Sequence, residues 1–197
     1  MLGYKDLQLA AVLFAAALSI GCRSERSERP TVEAFGQRWQ VLGGVWEPKD
    51  GGLVGRAGVV QTDGSFRDGV IDVDVELLSG PADHDLGVAF RYSATNGDTA
   101  KGNGYGFNFT FSKAFRLVRG QEGQYITLVP SPPVVPGLAD RVNHVRVAMK
   151  GSAFEISVNN QPSVQFQDAT FPLGAISFWV DSQSQRVRFS NFRFTQL

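Results

Sequence analysis

Residues 70–78 read VIDVDVELL, and this stretch decides the fold class of the chain. Apolar residues occupy every second position, and acidic residues fill most of the positions between them. The apolar set is Ile71, Val73, Val75 and Leu77, and the acidic set is Asp72, Asp74 and Glu76. Because successive side chains of a β-strand point to opposite faces of its sheet, the pattern predicts a strand with one buried face and one solvent-facing face.

The same alternation recurs along the chain from about residue 35 onward. LGVAFRY at 86–92 places Phe90 and Tyr92 on an apolar face and Arg91 on the other, and GYGFNFTF at 104–111 alternates in the same way. Further strands are predicted at 142–149, 153–158, 175–180 and 186–194. No segment in this region keeps a helical period. Many short, half-buried strands predict an all-β fold, a two-sheet antiparallel jelly-roll sandwich.

Two connections between the predicted strands follow from turn chemistry. Asn159 and Asn160 predict a tight turn, because Asn tolerates left-handed backbone angles. PSPPVVPG at 130–137 predicts a loop, because proline cannot donate a hydrogen bond to a central strand.

Composition narrows the classes of function. The 197 residues allow one domain of ordinary size, and 19 basic residues balance 19 acidic residues. Nucleic-acid binding needs a basic surface, so no nucleic-acid partner is predicted. A single Cys excludes an internal disulfide framework, and two His provide little material for a zinc site. The oligomeric state does not follow from the sequence.

The N-terminal segment is built like an export signal. Residues 7–20 read LQLAAVLFAAALSI, and this run is shorter than the roughly 20 apolar residues that a membrane-spanning helix needs. It ends at Cys22, at a junction that resembles the lipobox of bacterial lipoproteins, in which the Cys is lipidated and becomes the new N-terminus. The polar stretch RSERSERP then predicts a flexible tether.

Three segments are predicted on this basis: a signal peptide at 1–21, a lipidated Cys22 and tether at 22–32, and a sandwich domain at 33–197. The resemblance implies an exported protein that is anchored by lipid in the bacterial cell envelope, at the outer membrane or the periplasmic face. A plain secretory signal with an incidental Cys, or an uncleaved anchor, are the alternatives that the residues leave open.

Seven segments, taken in order, resemble the concanavalin A-like lectin/glucanase superfamily, and within it the 3-keto-disaccharide hydrolase-like and laminin-G-like branches. The segments are WEPKDGGLVG at 46–55, FRDGVIDVDVEL at 66–77, LGVAFRY at 86–92, GYGFNF at 104–109, HVRVAMKGSAFEISVNN at 144–160, FPLGAISFWV at 171–180 and VRFSNFRF at 187–194. The resemblance implies a concanavalin A-like sandwich. It does not fix the function, because the superfamily includes lectins, hydrolases and adhesion modules.

The acidic residues Asp72, Asp74 and Glu76 are the candidate catalytic groups. They resemble the acidic strand of laminarinase-type glucanases, in which a nucleophile, a helper Asp and an acid/base project from one strand face. Glycoside hydrolysis needs two carboxyl groups, roughly 5 to 5.5 Å apart for retention or 6.5 to 9.5 Å apart for inversion. On a straight strand, residues two apart lie roughly 7 Å from each other and residues four apart roughly 13 Å. The alternative is a solvated strand face whose charges keep the protein soluble.

A second candidate site combines several strands. If the strands at 70–78, 86–92 and 104–111 are neighbours in one sheet, their polar faces form one continuous surface. Small residues on that surface leave space for a groove. The predicted polar lining is Asp72, Asp74, Glu76, Arg91, Asn108 and Thr110, and the small residues are Gly87, Ala89, Gly104 and Gly106. Such a groove suits a sugar, with Arg91 and Asn108 as ligand-binding groups.

Trp179 is the candidate aromatic platform for a sugar, because it has the opposite parity from Ile176, Phe178 and Val180. The alternative is that Trp179 packs under a loop or against another tryptophan. His144 and Arg146 share a polar face and are further candidate ligand-binding residues, with surface placement without a role as the alternative.

The sequence predicts no metal site and no cofactor. Calcium sites occur in the superfamily and use an Asp near the last strand, but the corresponding strand here contains Ser190 and Asn191. Calcium held by Asp50, Asp168 or Asp181 stays open as an alternative.

Three functions remain, and the first is favoured. It is a lipid-anchored, non-catalytic module that binds carbohydrate on the concave sheet face. The second is a glycoside hydrolase of the 3-keto-disaccharide hydrolase type that uses the acids of the 72–76 strand. The third is a structural or adhesion domain with a protein partner.

Overall fold

A computed structural model describes residues 29–95, 98–129 and 138–197 of the chain. The predicted signal peptide, Cys22 and the proline-rich loop at 130–137 lie outside the described residues. The fold consists of fifteen described strands. In chain order they are β1 Thr31–Ala34, β2 Gln37–Val41, β3 Val45–Lys49, β4 Gly52–Arg56, β5 Gly58–Thr62, β6 Gly69–Ser79, β7 Leu86–Thr95, β8 Asp98–Phe109, β9 Phe115–Gln121, β10 Gln124–Val129, β11 Val142–Lys150, β12 Ala153–Val158, β13 Gln161–Gln167, β14 Ala175–Val180 and β15 Arg186–Gln196. The described part of the chain contains no helix long and apolar enough to cross a membrane.

The strands form two antiparallel sheets that pack face to face. The eight-stranded sheet has the order β1-β2-β5-β14-β7-β8-β9-β10, and the seven-stranded sheet has the order β13-β12-β11-β6-β15-β4-β3. Consecutive strands repeatedly change sheets, as in a jelly roll. The predicted two-sheet antiparallel sandwich is therefore confirmed.

Aromatic side chains connect the two inner faces. Phe178 of the eight-stranded sheet stacks on Phe189 of the seven-stranded sheet, with ring centroids 4.5 Å apart, and on Trp39, 4.8 Å away. A second contact joins Tyr105 to Phe154 across the interface at 4.9 Å. All five rings are almost completely removed from water, so they contribute a large share of the apolar area that stabilises the sandwich.

The local predictions agree with the observed elements. The stretch at 70–78 lies within β6, and its inward residues Ile71, Val73 and Val75 are fully buried. Asn159 and Asn160 both adopt positive φ, at 50° and 63°, in the turn between β12 and β13. Turn chemistry and alternation therefore predicted these elements, because both depend on residues that are close in sequence.

The three strands that the hypothetical groove requires are not all neighbours in one sheet. β7 and β8 are neighbours in the eight-stranded sheet, whereas β6, which carries 70–78, lies in the seven-stranded sheet between β11 and β15. The polar faces of β6 and of β7–β8 therefore point away from each other on opposite sides of the sandwich. Alternation assigns a residue to a face of its own strand, but it does not say which sheet the strand joins.

The predicted facing of Arg91 and Tyr92 is also wrong. A bulge interrupts the pairing of β7 with β8 after Phe90, and Arg91 adopts a positive φ of 47°. One extra residue in a strand reverses the parity of those that follow it. Tyr92 therefore faces outward, and Arg91 is only 2% exposed.

The guanidinium of Arg91 closes one end of the core. It donates hydrogen bonds to the carbonyl oxygens of Arg67, at 2.9 and 3.1 Å, and Phe171, at 3.1 Å. It also donates to Oδ1 of Asp68 at 3.2 Å and lies 4.7 Å from the centroid of the Phe154 ring. Burial lowers the pKa of Arg91, and the charge of Asp68 opposes that shift. Arg91 is thus a buried structural residue, away from a ligand-binding face.

We expect Arg91→Leu to destabilise the protein by about 2–4 kcal/mol, because it removes the ionic partner of Asp68 and the donor to the carbonyl groups of Arg67 and Phe171. Chemical unfolding followed by tryptophan fluorescence measures this change. Arg91→Lys should recover part of the loss, since it restores the charge without the planar set of donors. Equal unfolding midpoints for the wild type and Arg91→Leu would contradict the structural role.

Candidate functional site

A groove of about 460 Å³ lies on the outer face of the eight-stranded sheet. Residues from β5, β14, β7, β8, β9 and β10 line it, so it crosses most of the sheet. The groove therefore lies on the solvent-facing side of the eight-stranded sheet, and the inner faces of the same strands form part of the aromatic core.

The floor of the groove is a row of small side chains that runs across the strands. The pairing registers place Ser177 opposite Ala89, Ala89 opposite Gly106, and Gly106 opposite Val118. Beyond Ser177 the same row continues to Gln61 on β5. Because directly paired residues point to the same face, these side chains form one continuous strip.

Trp179 stands on one side of this strip. It is half-buried, and its indole Nε1 donates a hydrogen bond to Oδ1 of Asn108 at 3.1 Å. The indole lies against Gly87, where an added Cβ would come within 2.7 Å of Nε1. Glycine at this position therefore leaves room for the indole, and Asn108 fixes its orientation.

Two tyrosines stand on the other side of the strip. The Tyr92 ring covers Gly102, because a Cβ there would overlap the phenol, and Tyr125 packs over Gly120 at 3.5 Å from such a Cβ. Tyr125 is 61% exposed, an unusual degree for an aromatic residue. The groove is thus flanked by three aromatic side chains, each lying over a glycine.

The charges around the groove are nearly balanced. Arg116 lines it and is paired with the carboxylate of Asp85. Asp181 is the one carboxylate among the described residues that line the groove. The surface therefore offers stacking area and polar groups, with little net positive charge.

A polar cluster supports the groove from the core side of β8 and β9. Oδ1 of Asp168 accepts hydrogen bonds from the Tyr105 hydroxyl and the Thr170 amide, both at 2.7 Å. Its Oδ2 accepts one from Nη1 of Arg119 at 2.6 Å. Burial alone would raise the pKa of Asp168, but these hydrogen bonds outweigh it and lower the pKa to about 2. Burial raises the pKa of Tyr105 to about 12.

The acids Asp72, Asp74 and Glu76 lie on the outer face of the seven-stranded sheet, and none of them lines the groove. His144 contacts two of them, with Nδ1 2.7 Å from Oδ1 of Asp74 and Nε2 3.3 Å from Oδ1 of Asp72. Arg146 donates two hydrogen bonds to Asp72, at 2.9 and 3.1 Å.

The remaining acid of this face is also paired. Glu76 contacts Arg188, and Arg141 lies 3.6 Å away. Oδ2 of Asp74 accepts a further hydrogen bond from Asn191 at 2.7 Å. The five candidates of this face therefore belong to a network of ion pairs and hydrogen bonds across β11, β6 and β15. A catalytic role for the acids stays a prediction.

The residues that the sequence analysis grouped into one groove therefore lie in different parts of the sandwich. Asn108 and Trp179 lie in the observed groove, and Trp179 does not pack against the buried Trp39 or Trp46. Arg91 is buried in the core, and Thr110, 4% exposed, binds the turn after β8 through the Ala114 amide.

Sequence reasoning did not single out Tyr92, Tyr125 or Ser177 as site residues. Ser177 could have been predicted from the sequence, since it lies two residues from Trp179 in the strand at 175–180 and therefore shares its outward face. Tyr92 had no such signal, because the bulge that turns it outward depends on the packing of Arg91.

No group of three or more metal-ligating side chains is present among the described residues. Asp168, one of the three carboxylates considered for calcium, is fully engaged by Tyr105, Thr170 and Arg119.

The fold is shared by several solved proteins that bind or act on carbohydrate. The carbohydrate-binding module CBM66 from Bacillus subtilis superposes with a TM-score of 0.66 at 18% identity, over 80% of this chain and 95% of that chain. The carbohydrate recognition domain of Emp47p gives 0.59 at 12% identity, over 80% and 88% of the two chains. A prokaryotic β-1,3-1,4-glucanase (lichenase) derived from a mouse hindgut metagenome gives 0.57 at 12% identity, over 80% and 92%.

Neither a protein-family model nor a curated protein matches the sequence. At identities this low, the structural likeness shows the fold alone. The chain therefore has the jelly-roll sandwich fold that lectin-like and glucanase domains share.

We expect Asp168→Asn to lower the free energy of unfolding at pH 7 by about 2 kcal/mol, the equivalent of a pKa displaced from 3.8 to about 2. A lowered folded-state pKa stabilises the protein above the unfolded-state pKa, and this contribution is lost as the pH falls toward 2. The difference between wild type and variant should therefore shrink steadily below about pH 5.

Urea unfolding curves between pH 2 and pH 7 test this dependence, with Asp63→Asn as a matched variant at an exposed position. A difference between wild type and Asp168→Asn that stays constant over this range would contradict the assignment.

Proposed function

We propose that the protein is an exported, lipid-anchored module that binds carbohydrate in the groove of the eight-stranded sheet. The observation that carries this proposal is the arrangement of Trp179, Tyr92 and Tyr125 around a floor of small residues. Apolar ring faces with a few fixed polar groups are the usual composition of a small-molecule binding site. The C–H faces of sugar rings pack on aromatic rings, and their hydroxyl groups bond to side chains such as Asn108.

The positions of the carboxylates favour binding without hydrolysis. Glycoside hydrolysis needs a pair of carboxyl groups on either side of the scissile bond. Asp181 is the one carboxylate among the described residues that line the groove. The acids at 72–76 lie on the opposite face of the sandwich, where Arg146 pairs with Asp72, His144 contacts Asp74 and Arg188 pairs with Glu76. The hydrolase alternative would therefore need a second, separate substrate surface on the seven-stranded sheet.

The envelope location rests on the sequence of the leader. The apolar run at 7–20 followed by Cys22 supports export and lipidation. The polar residues between Cys22 and β1, which begins at Thr31, would hold the sandwich at a distance from the membrane. A groove on an exposed sheet face remains accessible to a glycan in that arrangement.

Trp179→Ala should weaken glycan binding at least about tenfold, because it removes the aromatic surface beside the groove floor. The measurement is affinity electrophoresis against a panel of immobilised glycans, followed by calorimetry with the glycan that retards the wild type. Trp179→Phe should retain part of the affinity, since it keeps an aromatic ring, although a smaller one, and loses the hydrogen bond to Asn108.

The double variant Asp74→Asn/Glu76→Gln is the control for this experiment and also tests the hydrolase alternative. Its affinity should equal that of the wild type, since both residues lie on the other sheet. Release of sugar by the wild type, abolished in this variant, would establish the hydrolase alternative instead. Failure of every glycan to retard the wild type would refute carbohydrate binding and favour the structural or adhesion alternative.

Cys22→Ala should release the protein from the membrane fraction, because it removes the site of the lipid anchor. Fractionation of cells that express the full chain, with immunoblotting of the sandwich domain, measures the distribution. The variant should be exported but soluble. Membrane association equal to that of the wild type would contradict lipidation and indicate an uncleaved anchor.

A further inference from the structure

We infer that the protein forms a two-fold dimer through β10, in which the β10 strands of two copies pair antiparallel and join their eight-stranded sheets into one. This inference goes beyond the proposed function and does not depend on it. It starts from the four edge strands of the sandwich.

Three of the four edge strands carry features that oppose pairing with a further strand. β3 contains Pro48 followed by Lys49, and β13 contains Pro162. β1 has only four residues and contains Glu33. Proline, charge and short length are common devices by which proteins protect the edges of their sheets.

β10 has none of these features. Its sequence, QYITLV, contains no proline and no charged residue. Its first four residues are exposed, and among them Tyr125 is 61% and Ile126 is 41% exposed. Within the described residues β10 is the last strand of its sheet and pairs only with β9. An exposed apolar edge of this kind is a template for pairing with another strand.

The side of the sandwich around β10 is also uncharged. β10 lies next to β13, whose sequence QPSVQFQ contains no charged residue, so the two edge strands form a neutral side wall. The opposite side, formed by β1 and β3, carries Glu33, Glu47 and Lys49. Depletion of charge together with exposed aromatic and aliphatic side chains is typical of the centre of a protein–protein interface.

The neutral side wall favours a second copy of the chain as its occupant. A charged partner strand would gain no ion pair from β10 or β13, whereas two copies bring no like charges together there. The whole chain has 19 basic and 19 acidic residues, so its copies do not repel each other through net charge. Antiparallel pairing of two identical strands also gives a closed two-fold dimer, which is the commonest symmetry of soluble oligomers.

The hairpin between β9 and β10 determines the register of the dimer. Its turn residues Glu122 and Gly123 have positive φ, 52° and 82°, and Gln121 pairs with Gln124. The residues that flank such a two-residue turn form a hydrogen-bonded pair, and hydrogen-bonded pairs alternate along the two strands. Thr127 therefore directs its N–H and C=O away from β9, and a two-fold axis at Thr127 lets two copies exchange both hydrogen bonds.

The axis places both grooves on the same face of the joined sheet, because it runs along the sheet normal. Tyr125 lies at the β10 end of the groove, so the two grooves approach each other across the interface. On the proposed function the dimer holds two glycan sites side by side, and a surface with repeated glycans retains it more strongly than one groove would.

Cysteine cross-linking locates the interface in cells that express the full chain. Thr127→Cys should form a disulfide-linked dimer on mild oxidation, because the Cα atoms of a hydrogen-bonded antiparallel pair lie about 5.5 Å apart, within the range of a disulfide. Thr31→Cys, at an exposed position of the opposite edge strand β1, is the matched control and should stay monomeric. The wild type, whose single thiol is Cys22, gives the background.

Absence of the Thr127→Cys dimer, or equal yields from Thr127→Cys and Thr31→Cys, would overturn the inference. A cross-linked product whose mass differs from that of two chains would show that a different protein occupies the edge, and it would overturn the second copy as occupant.

Ile126→Lys tests the same interface without a new thiol. Ile126 lies diagonally across the axis from its own counterpart, so two lysines would come within about 8 Å of each other. Because a pair of six-residue strands makes a small interface, we expect a dissociation constant of about 1–100 µM for the wild type. Sedimentation equilibrium of the full chain in density-matched detergent measures this constant, which Ile126→Lys should raise at least about tenfold.

Val45→Lys is the matched control, since Val45 is 49% exposed and lies on β3, on the opposite side of the sandwich. It should dimerise as the wild type does. A wild type that stays monomeric over the whole concentration range, or equal dissociation constants for the wild type and Ile126→Lys, would overturn the inference. Such a monomer could still bind glycan in its groove, so this failure is distinguishable from a failure of the proposed function.

Discussion

The packing of aromatic rings between the two sheets is the constraint on which the rest of the structure depends. Phe178 lies between Trp39 and Phe189, and this contact fixes the inward face of β14. Because side chains alternate along a strand, an inward Phe178 requires outward Ser177 and Trp179. The groove is therefore a consequence of the core, since the same strands provide both.

The two outer faces of the sandwich differ in chemistry although their inner faces are alike. On the seven-stranded sheet, Arg146 pairs with Asp72 and Arg188 pairs with Glu76 across neighbouring strands. On the eight-stranded sheet, glycines leave space that aromatic side chains fill from the rims. Ion pairs of this kind keep a surface soluble without shaping a cavity, whereas small residues between aromatic ones create a concave surface.

The bulge at Arg91 links the stability of the fold to the shape of the groove. The buried guanidinium satisfies two backbone carbonyl groups and Asp68, and its inward position turns Tyr92 toward the solvent. Simple alternation predicted the opposite, with Arg91 facing outward and Tyr92 facing the core. The error has a physical cause, because a bulge is stabilised by distant partners such as Phe171 and Phe154, which no short window of sequence contains.

The sequence by itself determined seven of the fifteen described strands, most of their inward and outward faces, the Asn159–Asn160 turn and the outward position of Trp179. These features depend on alternation and on local turn chemistry. Only the tertiary structure decided which strands are neighbours. Pairing between β6 and β11, or between β14 and β7, joins residues far apart in the chain, and many registers would bury equally apolar faces. That choice separated the acids at 72–76 from Asn108 and Trp179, and it brought Ser177 together with Tyr92 and Tyr125 around one groove.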